Sequence, residues 1–374
     1  MKYFLIAGEA SGDLHASNLM KGLLKADPQA EFCYMGGDLM QEVAEGMVMH
    51  YRETSYMFLD VLFHLRKIFR NMRLIKRKIN EWKPDVLIPV DYPGFNLRIT
   101  RFASEHGIRV FYYISPKVWA WKQRRVKDLK KYVNRLFTIL PFESEFFGRF
   151  NMEVEYFGNP LVDEVARFRE QFAGEGEWRR KHGFGDLPLV ALLAGSRIKE
   201  IETTLPSMLT LAGEHPAYQF VVAGAPSIDS SIYQQYLEGT NVKLIYNETY
   251  ALLTCAEAGL VNSGTATLEA ALFELPQVVL YRTSKLAYSI AKRLIKIKFI
   301  SLVNLIYGKK LVEEVVQKDM TDRTRKELNR ILTDEGYREE MQEGYRVLKS
   351  ELGEAGVSQR IGDRMIELLK AEFE

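Results

Sequence analysis

The chain has 374 residues, more than one ordinary domain, and its 47% hydrophobic and 27% charged residues fit a folded globular protein rather than a disordered one. A formal net charge of +2 is too small to argue by itself for nucleic acid, which is not expected as a partner, and no uninterrupted apolar run is long enough to cross a bilayer. Cys33 and Cys255 stand far apart without ligand-like spacing to histidine, which reads as reduced thiols of a cytoplasmic protein, neither disulfide nor metal site.

The opening apolar stretch, Tyr3–Ala7, runs directly into Gly8-Glu9-Ala10-Ser11-Gly12-Asp13, so it reads as a first strand and not as a signal peptide. Further strands are expected at Glu31–Met35, Asp85–Val90, Arg109–Ile114, Arg135–Leu140 and Glu153–Phe157, with helical periods between them such as Leu14–Ala26 and Phe95–Glu105. The rhythm restarts at Leu189–Leu193, Gln219–Ala223, Val242–Ile245, Gly259–Val261 and Val278–Leu280. Near-continuous apolar strands alternating with helices predict an α/β fold, with two Rossmann-like doubly wound domains facing a cleft. The polar, glycine-containing stretch Glu164–Gly185 marks their junction, giving domains 1–165 and 166–350. The segment 351–374 ends in a helical pattern, Gly356–Phe373, that either returns to the first domain or exchanges between two copies.

Ligands of such sheets bind outside the carboxyl ends of the strands, so motifs there carry weight. After strand one, Gly8, Ser11 and Gly12 allow a tight backbone approach, and Asp13 either meets the ligand or caps the helix. Glu9 and His15 are secondary acid/base candidates. Asp91 follows Asp85–Val90, where a carboxylate can take a proton from a sugar hydroxyl or merely begin the Asp91-Tyr92-Pro93-Gly94 turn. The run from Ser115 to Arg125 interleaves Trp119 and Trp121 with cations, which suits a wall for a sugar or acylated phosphate. In the second half, Gly195, Ser196 and Arg197 follow a strand, and Arg197 can neutralise a diphosphate. Ser263, Gly264 and Thr265 open a helix whose free N–H groups suit phosphate, with Glu269 one turn deeper to accept from a ribose. No Asp-x-Asp pair or metal-like cluster occurs, so neither metal nor other cofactor is expected.

Leu65, Ile68, Phe69, Met72, Ile75 and Ile79 recur at helical spacing amid lysines and arginines, and Glu81 is the only acid between Leu65 and Lys83. That helix covers a sheet in part, and its basic faces suit an anionic membrane. Phe63, Ile68, Phe69, Arg70 and Met72 are the expected membrane contacts, within the segment Thr54–Lys78.

The motifs Gly-Glu-Ala-Ser-Gly-Asp, Ser-Pro-Lys-Val-Trp-Ala-Trp-Lys-Gln-Arg-Arg and Ser-Gly-Thr-Ala-Thr-Leu-Glu-Ala, in this order, resemble the lipid A disaccharide synthases, inverting glycosyltransferases of GT-B fold. The resemblance runs from Gly8 to at least Gln317. It implies UDP-2,3-diacylglucosamine as donor and 2,3-diacylglucosamine 1-phosphate as acceptor, giving a β-1,6 disaccharide 1-phosphate and UDP at the inner-membrane surface. It places Asp91 at the family's essential acid, Arg197 at its essential arginine and Asn304 in its Pro-Asn pair, here preceded by Val303. Ala194 replaces a proline before Gly-Ser-Arg, and Tyr56-Met57 replaces a Met-Gly pair. Rival readings are another UDP-sugar glycosyltransferase or epimerase, a dinucleotide oxidoreductase, and a non-catalytic nucleotide-binding protein. Pairing with a second copy is left open.

Overall fold

In the computed structural model the described residues are 1–53, 61–284, 288 and 298–371, with the backbone alone described for 61–65. The chain forms two compact units, Met1–Asp163 with Gly353–Glu374, and Glu164–Leu352.

The first unit alternates β1 (Lys2–Ala7), α1 (Ala10–Ala26), β2 (Glu31–Gly36), α2 (Asp38–Val43), β3 (Met47–His50), α3 (Val61–Trp82), β4 (Val86–Val90), α4 (Pro93–Glu105) and β5 (Arg109–Tyr113). It continues through α5 (Val126–Tyr132), β6 (Arg135–Thr138), α6 (Phe142–Gly148) and β7 (Glu155–Tyr156). All seven strands are parallel in the order β3-β2-β1-β4-β5-β6-β7. Every residue of β4 is buried, as expected for a strand with both faces covered. The chain winds one way from β1 and the other way from β4, so the strand order reverses where Ala7 pairs with Val90. On one face, Phe4, Ile6, Leu87 and Val110 of the sheet pack with Met72, Ile75 and Ile79 of α3 and Phe95 and Ile99 of α4.

The second unit begins with α7 (Leu161–Gln171), which spans the junction, and continues through α8 (Glu175–His182), β8 (Leu189–Leu193), α9 (Ile198–Glu214), β9 (Gln219–Gly224), α10 (Ser230–Leu237) and β10 (Lys243–Tyr246). Then come α11 (Thr249–Cys255), β11 (Ala256–Asn262), α12 (Thr265–Leu272), β12 (Gln277–Tyr281), α13 (Leu302–Tyr307), β13 (Glu313–Val316), α14 (Met320–Thr333) and α15 (Glu335–Leu352). Its sheet is again all parallel, β10-β9-β8-β11-β12-β13, and reverses between β8 and β11. Both sheets therefore present a switch point, where a Rossmann-like sheet takes its ligand.

The last helix, α16 (Val357–Ala371), packs on α1. Gly22 makes the close approach feasible, because a Cβ there would lie 2.6 Å from the Ser358 carbonyl oxygen. Asp163 fixes the start of α16, its carboxylate accepting from the N–H groups of Gly356, Val357 and Ser358 at 2.6, 3.0 and 2.9 Å.

Three elements depart from the sequence expectation. The edge strands β3 and β13 were not expected: β3 is only four residues long, Met47–His50, and β13 opens with Glu313 and Glu314. The polar stretch expected as the junction contains α8, anchored by buried Trp178 and ended by Gly183 at φ +61°.

Candidate active site

The candidate cluster of the first unit lies at the carboxyl ends of β1 and β4. Gly8 follows β1 so close to the turn after β4 that a Cβ there would fall 2.1 Å from Tyr92 Cδ1. Beyond it, Glu9 and Ser11 are exposed and Gly12 is buried. Asp91 and Tyr92 are consecutive left-handed residues, φ +43° and +46°, before Pro93 starts α4. Such backbone is uncommon for residues with a side chain and persists where the surroundings fix it. Here the Asp91 N–H donates to the Tyr113 carbonyl at 3.1 Å. Its carbonyl accepts from the Tyr112 hydroxyl at 2.6 Å and from Asn96 Nδ2 at 2.7 Å. The backbone is pinned while the carboxylate accepts from the Tyr92 backbone and, among the described residues, from no side chain. Burial pushes the Asp91 carboxyl up to about 6, the Lys117 ammonium pulls it down, and Glu9 pushes it up. It is a carboxylate poised to exchange a proton near neutral pH.

Two residues expected at a ligand turn inward. The Asp13 carboxylate accepts from the N–H groups of Gly37, Leu39 and Met40 at 2.7, 3.1 and 3.2 Å, so it ties α1 to the start of α2. This corrects its assignment to substrate: three orphan helix donors take its lone pairs. Trp119 is also buried, and its Nε1 donates to Glu143 Oε1 at 3.1 Å, so it is a structural anchor and not an open stacking wall. Trp121 is the exposed partner of the pair, with the Lys122 ammonium 4.1 Å from its ring centroid. His15 is buried, pushed down to about 4 by that burial and raised by Asp163, which makes it a neutral interior residue at neutral pH. Sequence reasoning assigned no role to Glu143, Lys117 or Tyr92; Lys117 and Tyr92 lay within motifs already singled out, and Glu143 lay in none.

The candidate cluster of the second unit lies at the carboxyl ends of β8 and β11. Gly195 has φ +116°, and a Cβ there would lie 2.6 Å from Glu200 and 3.0 Å from Asn262 Nδ2. Glu200 accepts from the Ser196 N–H at 3.0 Å and from Arg197 Nη1 at 3.1 Å. Arg197 stands at the N-cap of α9 and is 62% exposed, a cation parked on a neighbouring carboxylate but open to solvent. At β11, Gly264 caps α12, Gly264 and Thr265 are exposed, and the Ser263 hydroxyl donates to the Ile300 carbonyl at 3.2 Å. Glu269, one turn into α12, accepts from the Tyr250 hydroxyl at 2.9 Å, and its carboxyl is pushed up by burial. The helix start thus offers free N–H groups with a carboxylate behind them.

Asn304 is the third inward-turned residue. Its Nδ2 donates to the Val312 carbonyl and Glu314 Oε1, both at 2.9 Å, and its Oδ1 accepts from Leu311 and Val312 at 2.8 and 3.0 Å. With its amide so engaged and the residue fully buried, Asn304 locks α13 to β13 and is corrected from ligand contact to scaffold.

On α3, Phe69 is 52% exposed, and Arg66, Arg70 and Arg73 are exposed around it, with Ile68 half-buried. Met72 is only 6% exposed and packs in the core, which corrects its place among surface contacts: it shares the helix stripe of Ile75 and Ile79. The Phe63 side chain and residues 54–60 lie outside the described residues. No helix among the described residues is long and apolar enough to cross a membrane.

Residues 3–360 match the family model described as lipid-A-disaccharide synthetase. The lipid-A-disaccharide synthase of Myxococcus xanthus is 37% identical over 377 residues, 98% of this chain and 97% of the relative. That of Geobacter sulfurreducens is 34% identical, with 98% and 97% covered. Among solved structures, the UDP-GlcNAc 2-epimerase of Neisseria meningitidis bound to UDP-GlcNAc aligns with TM-score 0.69 at 16% identity, covering 98% of this chain and 100% of that one. A calicheamicin glycosyltransferase aligns at 0.60 and 16% identity, covering 98% of each. These distant structures share the α/β fold class of two parallel sheets.

Proposed function

The chain belongs to the lipid-A-disaccharide synthetase family, and from that premise we propose which of its residues carry out the reaction. Membership makes the chain a glycosyltransferase of lipid A assembly. The donor is UDP-2,3-diacylglucosamine and the acceptor 2,3-diacylglucosamine 1-phosphate. The acceptor's 6-hydroxyl attacks the donor's anomeric carbon while Asp91 removes the hydroxyl proton. The bond from that carbon to the diphosphate oxygen breaks on the opposite face, and UDP leaves with inversion. Arg197 and the start of α12 at Ser263–Thr265 stabilise the diphosphate, and Glu269 accepts from the ribose hydroxyls.

The observation that carries the base assignment is the pinned Asp91 backbone at the β4 end, with a carboxyl pushed up to about 6. Both substrates carry acyl chains, and the exposed Phe69 amid Arg66, Arg70 and Arg73 supports docking on an anionic bilayer surface through α3.

The test is a coupling assay with both substrates, with EDTA or Mg²⁺, read by mass spectrometry. A tetraacyl disaccharide phosphate plus UDP supports the reaction. Folded protein that binds UDP but yields no disaccharide under either condition sinks it. Conversion of the UDP-sugar without acceptor would mark an epimerase instead.

A further inference from the structure

Glu143 has no part in the reaction above, yet it is 1% exposed and collects four donors. A buried carboxyl is costly unless its oxygens are satisfied, so its partners indicate what it holds. Two are backbone N–H groups beyond β6, Ile139 at 3.2 Å and Leu140 at 3.0 Å. The other two are the Ser115 hydroxyl and Trp119 Nε1, from the loop beyond β5. Glu143 therefore clamps one strand-end loop onto the next.

The clamped loop is built under constraint. It begins at Ile114 with φ +62°, a conformation that a β-branched residue rarely adopts, and ends at Lys122 with φ +53°. Pro116 and Val118 are buried, and Trp119 meets Phe142 edge-on at 5.1 Å. Between the two clamped side chains, Lys117 is the only charged residue and the only exposed one. The loop adjoins the base, since the strand that leads into it supplies the Tyr113 carbonyl and Tyr112 hydroxyl that pin Asp91. Lys117 acts electrostatically on that carboxyl.

We propose that Lys117 binds the phosphate of the acceptor sugar beside Asp91, and that Glu143, through Ser115 and Trp119, is its positioning residue. This rests on the reading of the acceptor as a sugar 1-phosphate. Such a phosphate must come to a corner that already carries Asp91 and Glu9, and like charges repel. A cation there offsets that repulsion, and the clamp fixes the backbone that carries it, so only the lysine side chain is left to order on binding.

The experiment is steady-state kinetics on the full chain with 2,3-diacylglucosamine 1-phosphate and with the same acylated sugar lacking phosphate. Lys117 is exposed, so Lys117→Met is expected to fold, as checked by thermal melting and UDP binding. In that variant, KM for the phosphorylated acceptor should rise about 10- to 100-fold while donor KM stays put, and the preference for the phosphorylated acceptor should collapse. Lys117→Arg should keep most of the preference. The acidic limb of kcat/KM should move to higher pH in Lys117→Met, because Asp91 loses the cation that favours its ionised form while Glu9 stays. Glu143→Gln should show the same acceptor-selective loss in milder form; if it does not fold, Lys117→Met decides alone. An unchanged preference in Lys117→Met, or equal losses with both acceptors, overturns the proposal. Wild-type chain that makes no disaccharide from either acceptor instead overturns the reaction itself.

Discussion

The ring of Tyr92 occupies the space where a Gly8 side chain would stand, with the absent Cβ 2.1 Å from Tyr92 Cδ1. Two switch-point strands are thereby held together next to the Asp91 carboxylate. Tyr92 cannot yield freely, because its backbone is left-handed and its ring stacks on Phe95 at 5.9 Å. Gly8→Ala is expected to displace Tyr92 and misplace Asp91, lowering kcat about tenfold or more with UDP affinity unchanged. Calorimetric UDP titration beside turnover checks this, and a fully active Gly8→Ala variant would count against the close packing.

Asp91→Asn should remove the base and slow turnover by about 10²–10⁴-fold. In the wild type, kcat/KM should fall as pH drops through about 6, where Asp91 takes up its proton. The stability effect has a definite sign. The folded chain holds the Asp91 proton more tightly than the unfolded chain, whose carboxyl sits at 3.8, so stability declines as pH rises from about 4 to 6. Above that window the buried charge costs about 3 kcal/mol. Asp91→Asn should therefore melt higher than wild type at pH 7.5, with the difference fading toward pH 4.

Arg197 rests on Glu200 at 3.1 Å and is largely solvent-exposed, so the pair itself adds little stability. Arg197→Ala should leave the melting temperature nearly unchanged. It should lower kcat/KM for the UDP-sugar by at least tenfold, since a cation at the diphosphate is lost. Fluorescence melting with donor-dependent kinetics separates the two effects.

Asn304→Ala should act on folding and not on the ligand. It would leave the Leu311 and Val312 N–H groups without their acceptor in a partly buried turn, while Glu314 Oε1 keeps its two donors from Ser301. A loss of roughly 2–4 kcal/mol is expected, seen as a lower denaturant midpoint, with kcat of the remaining folded protein close to normal. A specific loss of donor binding without destabilisation would restore Asn304 to the ligand.

Phe69→Glu combined with Arg70→Glu reverses charge and removes apolar area on the exposed face of α3. Sedimentation with phosphatidylglycerol-containing vesicles should fall to background for the variant, with turnover on detergent-dispersed substrates retained. Full vesicle binding by the variant would move the membrane contact elsewhere.

The sequence by itself determined the α/β class and most strand positions, because parallel strands buried on both faces, such as Val86–Val90, read as apolar runs. The family was legible in three contiguous motifs, and Asp91 and Arg197 were legible as residues at strand ends. Edge strands β3 and β13 were not legible, since β3 has only four residues and an edge strand such as β13 can carry charges like Glu313. Tertiary structure alone decided which polar side chains find partners inside the scaffold and which stay open. Asp13, Trp119 and Asn304 each find internal partners on another element, and Glu143 joins groups up to 28 positions away. A one-dimensional pattern gives a residue's chemistry and its place on a strand or helix. Whether its lone pairs are already taken depends on which distant donors the fold brings within hydrogen-bond reach.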